Sequence, residues 1–117
     1  MSKVINDAAT DAYAERVATD ARCTVERSAD VLSGKWTTLI LRDLLGGPKR
    51  FGELRRSLTG VSPKTLSDRL KNLEAEGVLT RTLYPEMPPR TEYRLTEKGA
   101  ALRPVIEAMA AWGETWT

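Results

Sequence analysis

The 117-residue sequence contains no histidine and a single cysteine, Cys23. Without histidine the usual general base and the commonest metal ligand are both missing. Ser/His/Asp and Cys/His catalysis are therefore excluded by composition. One cysteine rules out an internal disulfide and any multi-cysteine metal site. A Ser-Lys or carboxylate enzyme stays open on composition alone. No apolar run approaches the roughly 20 residues of a membrane span, and the N-terminus lacks the apolar stretch of a signal peptide. The paired glycines of "LLGGPKR" lack phosphate-loop spacing and read as a helix stop. The expectation is a single cytoplasmic domain over residues 1–117 that is not an enzyme and has no metal, cofactor or membrane partner.

Charge is present but uneven. Residues 42–71 hold 8 Lys/Arg against 3 Asp/Glu, while residues 1–30 hold 4 against 6 and residues 72–117 hold 5 against 7. A basic block between two mildly acidic flanks is an electrostatic footprint for phosphate.

Periodicity supplies the elements. Residues 5–21 are alanine-rich, with Ala9, Tyr13 and Val17 four apart, which predicts an amphipathic helix. A second helix is expected over 24–32, with Val25, Ala29 and Leu32 as its buried stripe. "WTTLILRDLL" (36–45) reads as the central core helix, burying Trp36, Leu39, Ile40 and Leu44, with Leu41 a further candidate. "FGELRRSL" (51–58) is a short helix with Phe51, Leu54 and Leu58 inward and Arg55 and Arg56 outward. A tight turn with Gly60 at positive φ follows. Ser62 then caps a helix with Pro63 in its first turn; Leu66, Leu70 and Leu73 form its apolar face, and Gly77 closes it. "VLTRTLY" (78–84) and "TEYRL" (91–95) alternate with period two, as strands of a hairpin with a proline-stiffened loop. Residues 96–116 return to helical period, capped by Thr96.

Helix, turn, capped helix and two-stranded ribbon is the order of a winged helix-turn-helix: α+β, mainly α, with the helix-turn-helix at 51–76 and the wing at 78–95. The N-terminal part of a helix inserted in a major groove reaches base edges, and its dipole favours phosphate. Ser62, Lys64, Thr65, Ser67, Asp68, Arg69 and Lys71 are the candidate DNA-facing residues there. Lys64 and Lys71 suit guanine edges or phosphates, and Ser67 permits close approach. Asp68 suits a cytosine amine, or else orients Arg69. Arg69 reads equally as a phosphate clamp or as an intramolecular salt bridge. Arg55 and Arg56, with Lys49 and Arg50 extending their edge, suit the DNA backbone. Arg90 at the hairpin tip suits a minor groove, although an exposed loop can carry an arginine for no such reason.

The runs Gly34-Lys35-Trp36, Arg50-Phe51-Gly52-Glu53-Leu54, Arg69-Leu70, Pro88-Pro89 and Tyr93-Arg94-Leu95-Thr96, with Ser62 and Leu66 between them, closely resemble the HxlR-type transcriptional regulators of bacteria. The resemblance spans about residues 22 to 112. It implies a winged-helix homodimer on an inverted repeat in double-stranded DNA, repressing or activating nearby genes. Many relatives respond to quinones, aldehydes, hypochlorite or other electrophiles through a cysteine just before the helix that precedes Gly-Lys-Trp, where Cys23 stands. Arg22 and the helix start at Thr24 would favour its thiolate; the other reading is a small residue buried in a dimer core. The helix at 1–21 and the one at 96–116 exceed what a compact winged helix needs, so both are expected to dimerise, through Tyr13, Val17, Val105, Met109, Trp112 and Trp116. The alternative for Trp112 and Trp116 is packing on their own chain. A winged-helix module that binds protein, and control by a small-molecule ligand with Cys23 structural, complete the alternatives.

Overall fold

A computed structural model describes residues 23–117, and the expected helix at 5–21, with Tyr13 and Val17, lies outside them. The chain divides after Leu32 into two units. In the first, α1 spans Thr24–Leu32 and begins where the Arg27 amide donates to the Cys23 carbonyl. The expected buried stripe is absent: none of its residues is buried, and Val25 is exposed.

The second unit runs α2 (Thr37–Leu45), β1 (Lys49–Arg50), α3 (Phe51–Ser57), α4 (Pro63–Ala75), β2 (Leu79–Tyr84), β3 (Arg90–Leu95), α5 (Glu97–Ala100) and α6 (Arg103–Trp116). It is a winged helix-turn-helix. Its core is aliphatic: Ile40, Leu41 and Leu44 of α2 meet Leu54 and Leu58, the α4 leucines, and Val78 and Leu79 at the wing root, with Tyr93 closing the sheet side. Burying such side chains is worth about 1.5–3 kcal/mol each. Leu39 and Trp36, both expected inside, are exposed and half-buried respectively. Leu39 sits one residue off the inward stripe. Trp36 precedes α2 in the left-handed conformation (φ 84°), which turns it away from the stripe that Ile40 and Leu44 follow. Thr37 takes an inward place, its hydroxyl donating to the Ser33 carbonyl at 2.8 Å.

The sheet has three strands in the order β1-β3-β2, all antiparallel. β1 was not expected, because two residues carry no periodicity; Lys49 pairs with Tyr93 and Arg50 with Glu92. The hairpin pairs Leu79 with Leu95 at its root and Tyr84 with Arg90 at its tip.

The expected single helix over 96–116 is two. Thr96 caps only the one-turn α5. Pro104 cannot donate an amide to a continued helix, so a turn at Ala101–Leu102 intervenes and the proline starts α6. Gly99 is required at the joint, since a Cβ there would stand 2.1 Å from the Val78 carbonyl oxygen. No residue of α6 is buried. Val105, Met109, Trp112 and Trp116 are 41%, 47%, 63% and 71% exposed, so the two tryptophans do not pack into the core of the described unit.

Candidate nucleic-acid interface

Helix α4 is held at three levels. At its start the Ser62 hydroxyl oxygen accepts the Thr65 amide at 3.0 Å, and the two hydroxyls bond each other at 2.9 Å. In its middle the Arg69 Nε donates to the Lys35 carbonyl at 2.9 Å. At its end Gly77 takes positive φ, and Thr96 and Lys98 donate to the Gly77 and Glu76 carbonyls. The apolar face is locked beneath, with Leu66, Leu70 and Leu73 at 0–1% exposure.

Arg69 makes no intramolecular salt bridge among the described residues: its Nε is bonded to a backbone carbonyl 34 residues earlier. Gly34 makes room: it has φ +94°, and a Cβ there would stand 2.8 Å from Arg69 Nε. Trp36 continues the same loop, and its ring approaches Gly60 in the helix-turn-helix turn. The Gly-Lys-Trp run is therefore the surface against which α4 and the turn are set.

The outer face of α4 presents Lys64, Ser67, Asp68 and Lys71. No acidic residue occupies its first turn, so nothing in that turn neutralises the positive end of the helix dipole. Lys64 Nζ bonds Asp68 Oδ2 at 2.8 Å. That bond holds the Asp68 carboxyl below its ordinary range. Asp68 is thus bonded to Lys64, while the Arg69 Nε is bonded to Lys35.

Arg55 and Arg56 are exposed in the last turn of α3. At the start of that helix the Arg50 amide donates to the Glu53 carboxylate at 2.8 Å, which lowers the Glu53 pKa. Arg90 does not project from the hairpin. Its guanidinium lies 4.2 Å from the centre of the Tyr84 ring and 3.1 Å from Glu86 Oε2. Its Nε is buried and unpartnered among the described residues. Entry into a minor groove requires that side chain to leave Glu86, and neither Tyr84 nor Glu86 had a sequence signal marking it as a partner. Cys23 is half-buried at the start of α1.

Among the described residues no group of three His, Cys, Asp or Glu side chains could hold a metal ion, and no helix is long and apolar enough to cross a membrane.

The HxlR-like helix-turn-helix family matches residues 31–117. An HTH-type transcriptional regulator of Synechocystis is 45% identical over 94 residues, covering 80% of this chain and 70% of that protein. The HTH-type transcriptional regulator YvaP of Bacillus subtilis is 45% identical over 91 residues, 78% of this chain and 84% of its own. Among solved structures, the redox regulator HypR in its reduced form superposes with a TM-score of 0.75 at 40% identity, over 78% of this chain and 90% of HypR. The reduced transcriptional regulator YodB from B. subtilis gives 0.70 at 40% identity, over 78% and 89%.

Proposed function

Because this chain belongs to the HxlR-like helix-turn-helix family of transcriptional regulators, we propose that it acts in the cytoplasm as a homodimer on an inverted-repeat operator in double-stranded DNA. The observation that carries this reading is α4 itself. Its apolar face is buried, both ends are anchored, and a basic face with no acid in the first turn is left outward. In this reading Lys64, Ser67 and Lys71 meet base edges and nearby phosphates. Ser62 and Thr65 lie at the helix entry beside the backbone. Asp68 sets the direction of Lys64, and Arg69 positions the helix through Lys35. Arg55, Arg56 and a released Arg90 contact the flanking backbone and minor groove.

The exposed stripe of Val105, Met109, Trp112 and Trp116 supports dimerisation, because a run of large apolar side chains in water marks an interaction face. Two-fold symmetry would set the recognition helices about 34 Å apart, one duplex turn.

Cys23 is the proposed control point. A thiol at a helix N-terminus favours the thiolate, which oxidants and electrophiles attack. HypR, similar in sequence and fold, is a redox regulator. Cys23 lies outside the matched residues 31–117, so this part of the reading needs its own test. Binding to DNA from the chain's own promoter is to be titrated with reduced protein, diamide-treated protein and Cys23→Ser. The expected result is an affinity that changes on oxidation in the wild type and not in the variant. Equal binding in all three makes Cys23 structural and leaves control to a small-molecule ligand. Absence of any salt-dependent binding would overturn the DNA reading.

A further inference from the structure

Helix α4 packs beside strand β2, and between them lies a crevice of about 220 Å³ lined by Ser67, Leu70, Lys71, Glu74, Arg81 and Tyr93. That is several times the ~30 Å³ share of a water molecule, room for a phosphodiester group. Leu70 and Tyr93 are buried and form its floor, while Lys71 and Arg81 stand exposed at its rim.

Strand alternation explains the arginine. Leu79, Arg81 and Leu83 share one face of β2. Leu79 is buried, and Arg81 lies opposite the buried Tyr93. At Leu79 that face is core. Two residues further on, Tyr93 of the neighbouring strand closes the core, and the same face of β2 carries a guanidinium toward the side that α4 occupies. Arg42, Lys64, Arg90, Arg94 and Arg103 are each tied to a carboxylate. Among the described residues, Lys71 and Arg81 are in no ion pair, as Arg55 and Arg56 of α3 are not. Arg81 from the wing and Glu74 from α4 both act on the Tyr93 hydroxyl: burial raises its pKa, Arg81 lowers it and Glu74 raises it.

We infer that Lys71 and Arg81 form a clamp for a DNA backbone phosphate, on the strand that runs between the groove entered by α4 and the groove met by the hairpin tip. The inference rests on the DNA-binding reading and adds Arg81 to it. Adjacent major and minor grooves are separated by one phosphate strand. A molecule that puts a helix in one and a hairpin tip in the other must straddle that strand. The crevice lies between α4 and the middle of the hairpin, on the way from one to the other. Arg81 stands three residues, about 10 Å along the strand, before Tyr84, the pairing partner of the tip residue Arg90. The apolar floor lowers the local dielectric and strengthens attraction between the two cations and the phosphate. Glu74 at the same mouth opposes an anion. A phosphate contact fixes register without reading sequence.

The test compares wild type, Arg81→Ala, Arg81→Lys and Glu74→Gln on two duplexes, the chain's own promoter DNA and a mixed-sequence control, from 50 to 200 mM salt. Each lost phosphate contact lowers the slope of log affinity against log salt by about 0.9, so Arg81→Ala should flatten it by up to about 1.8 for a dimer, with Lys71 keeping part of the contact. Affinity should fall about tenfold or more per contact at 50 mM salt and by less at 200 mM. The loss should be equal on both duplexes, Arg81→Lys should restore the slope, and Glu74→Gln should bind more tightly. An Arg81→Ala protein with unchanged slope and affinity overturns the clamp while leaving the DNA reading intact, and so does a loss confined to the promoter duplex. A wild-type protein that binds neither duplex in a salt-dependent way overturns both.

Discussion

Helices α4 and α6 are almost the same length, 13 and 14 residues, and each carries one apolar stripe at helical spacing. In α4 the stripe is three leucines sealed into the core. In α6 it is Val105, Met109, Trp112 and Trp116, and none of α6 is buried. The α4 stripe serves to hold a polar face still, so that side chains at the helix start stay in fixed positions. Helix α6 rests against α2, but its stripe stays partly to largely exposed, so much of its apolar area is left in water. Removing such surface from water is favourable by about 25 cal/mol per Å². The same sequence pattern therefore marks a completed interior in one helix and an unfinished one in the other.

The largest expected effects come from emptying each stripe. Leu70→Ala should cost about 2–5 kcal/mol of unfolding free energy, the usual toll of a truncated core leucine. Urea denaturation followed by circular dichroism measures it, and the loss should not depend on protein concentration. Trp112→Ala should instead act on association. A buried interface tryptophan is often worth 2 kcal/mol or more, so the dimer should dissociate roughly 30-fold more readily in sedimentation experiments. Equal loss of stability from both substitutions under dilute, monomeric conditions would erase the contrast, by showing that Trp112 packs on its own chain.

A smaller effect sharpens what α4 rests on. Gly34→Ala puts a Cβ on a residue at φ +94° and 2.8 Å from Arg69 Nε. Strain of this kind costs about 1–3 kcal/mol. Arg69 is flexible enough to retreat, but doing so breaks its bond to the Lys35 carbonyl. Gly34→Ala should therefore lower both thermal stability and DNA affinity, whereas Arg69→Ala should lower DNA affinity with less loss of stability. A Gly34→Ala protein as stable as wild type would remove the strut from the account.

These cases mark what the sequence made legible. The whole of α4 could be read locally: Ser62 and Pro63 start it, three leucines define its buried side, and Gly77 ends it. The wing could be read from alternation. The strut beneath α4 could not, because Arg69 and Lys35 are far apart in the chain and a side chain bonding a carbonyl leaves no pattern. β1 is too short for any period. Pro104 did carry a signal for the break between α5 and α6, but the apolar spacing runs on through it and masked the stop. The exposure of α6 was invisible in principle, since periodicity says that a stripe exists and not what covers it. The position of Arg90 at the tip follows from the proline loop before it, yet its fold onto Tyr84 and Glu86 depends on a loop path that proline content alone does not define.

The smallest effect is a pH dependence confined to polar groups of the helix-turn-helix. The Lys64 ammonium holds the Asp68 carboxyl below its usual value, and the Arg50 amide does the same for Glu53. A carboxylate whose folded-state pKa is depressed adds stability above its unfolded value and loses it as pH falls through the folded one. Stability should thus be level through neutral pH and decline only below the ordinary carboxylate range. In Asp68→Asn part of that acid-side decline should vanish in urea unfolding measured across pH. The α6 stripe holds no titratable group, so Trp112→Ala should leave the shape of the acid limb unchanged. Asp68→Asn also frees Lys64 and removes a negative charge from the outer face of α4, so binding to promoter DNA at neutral pH should tighten modestly. Tighter binding with the acid limb reduced would tie both effects to the one ion pair. Weaker binding would mean that Asp68 serves the DNA contact, by directing Lys64 or by itself accepting from a base.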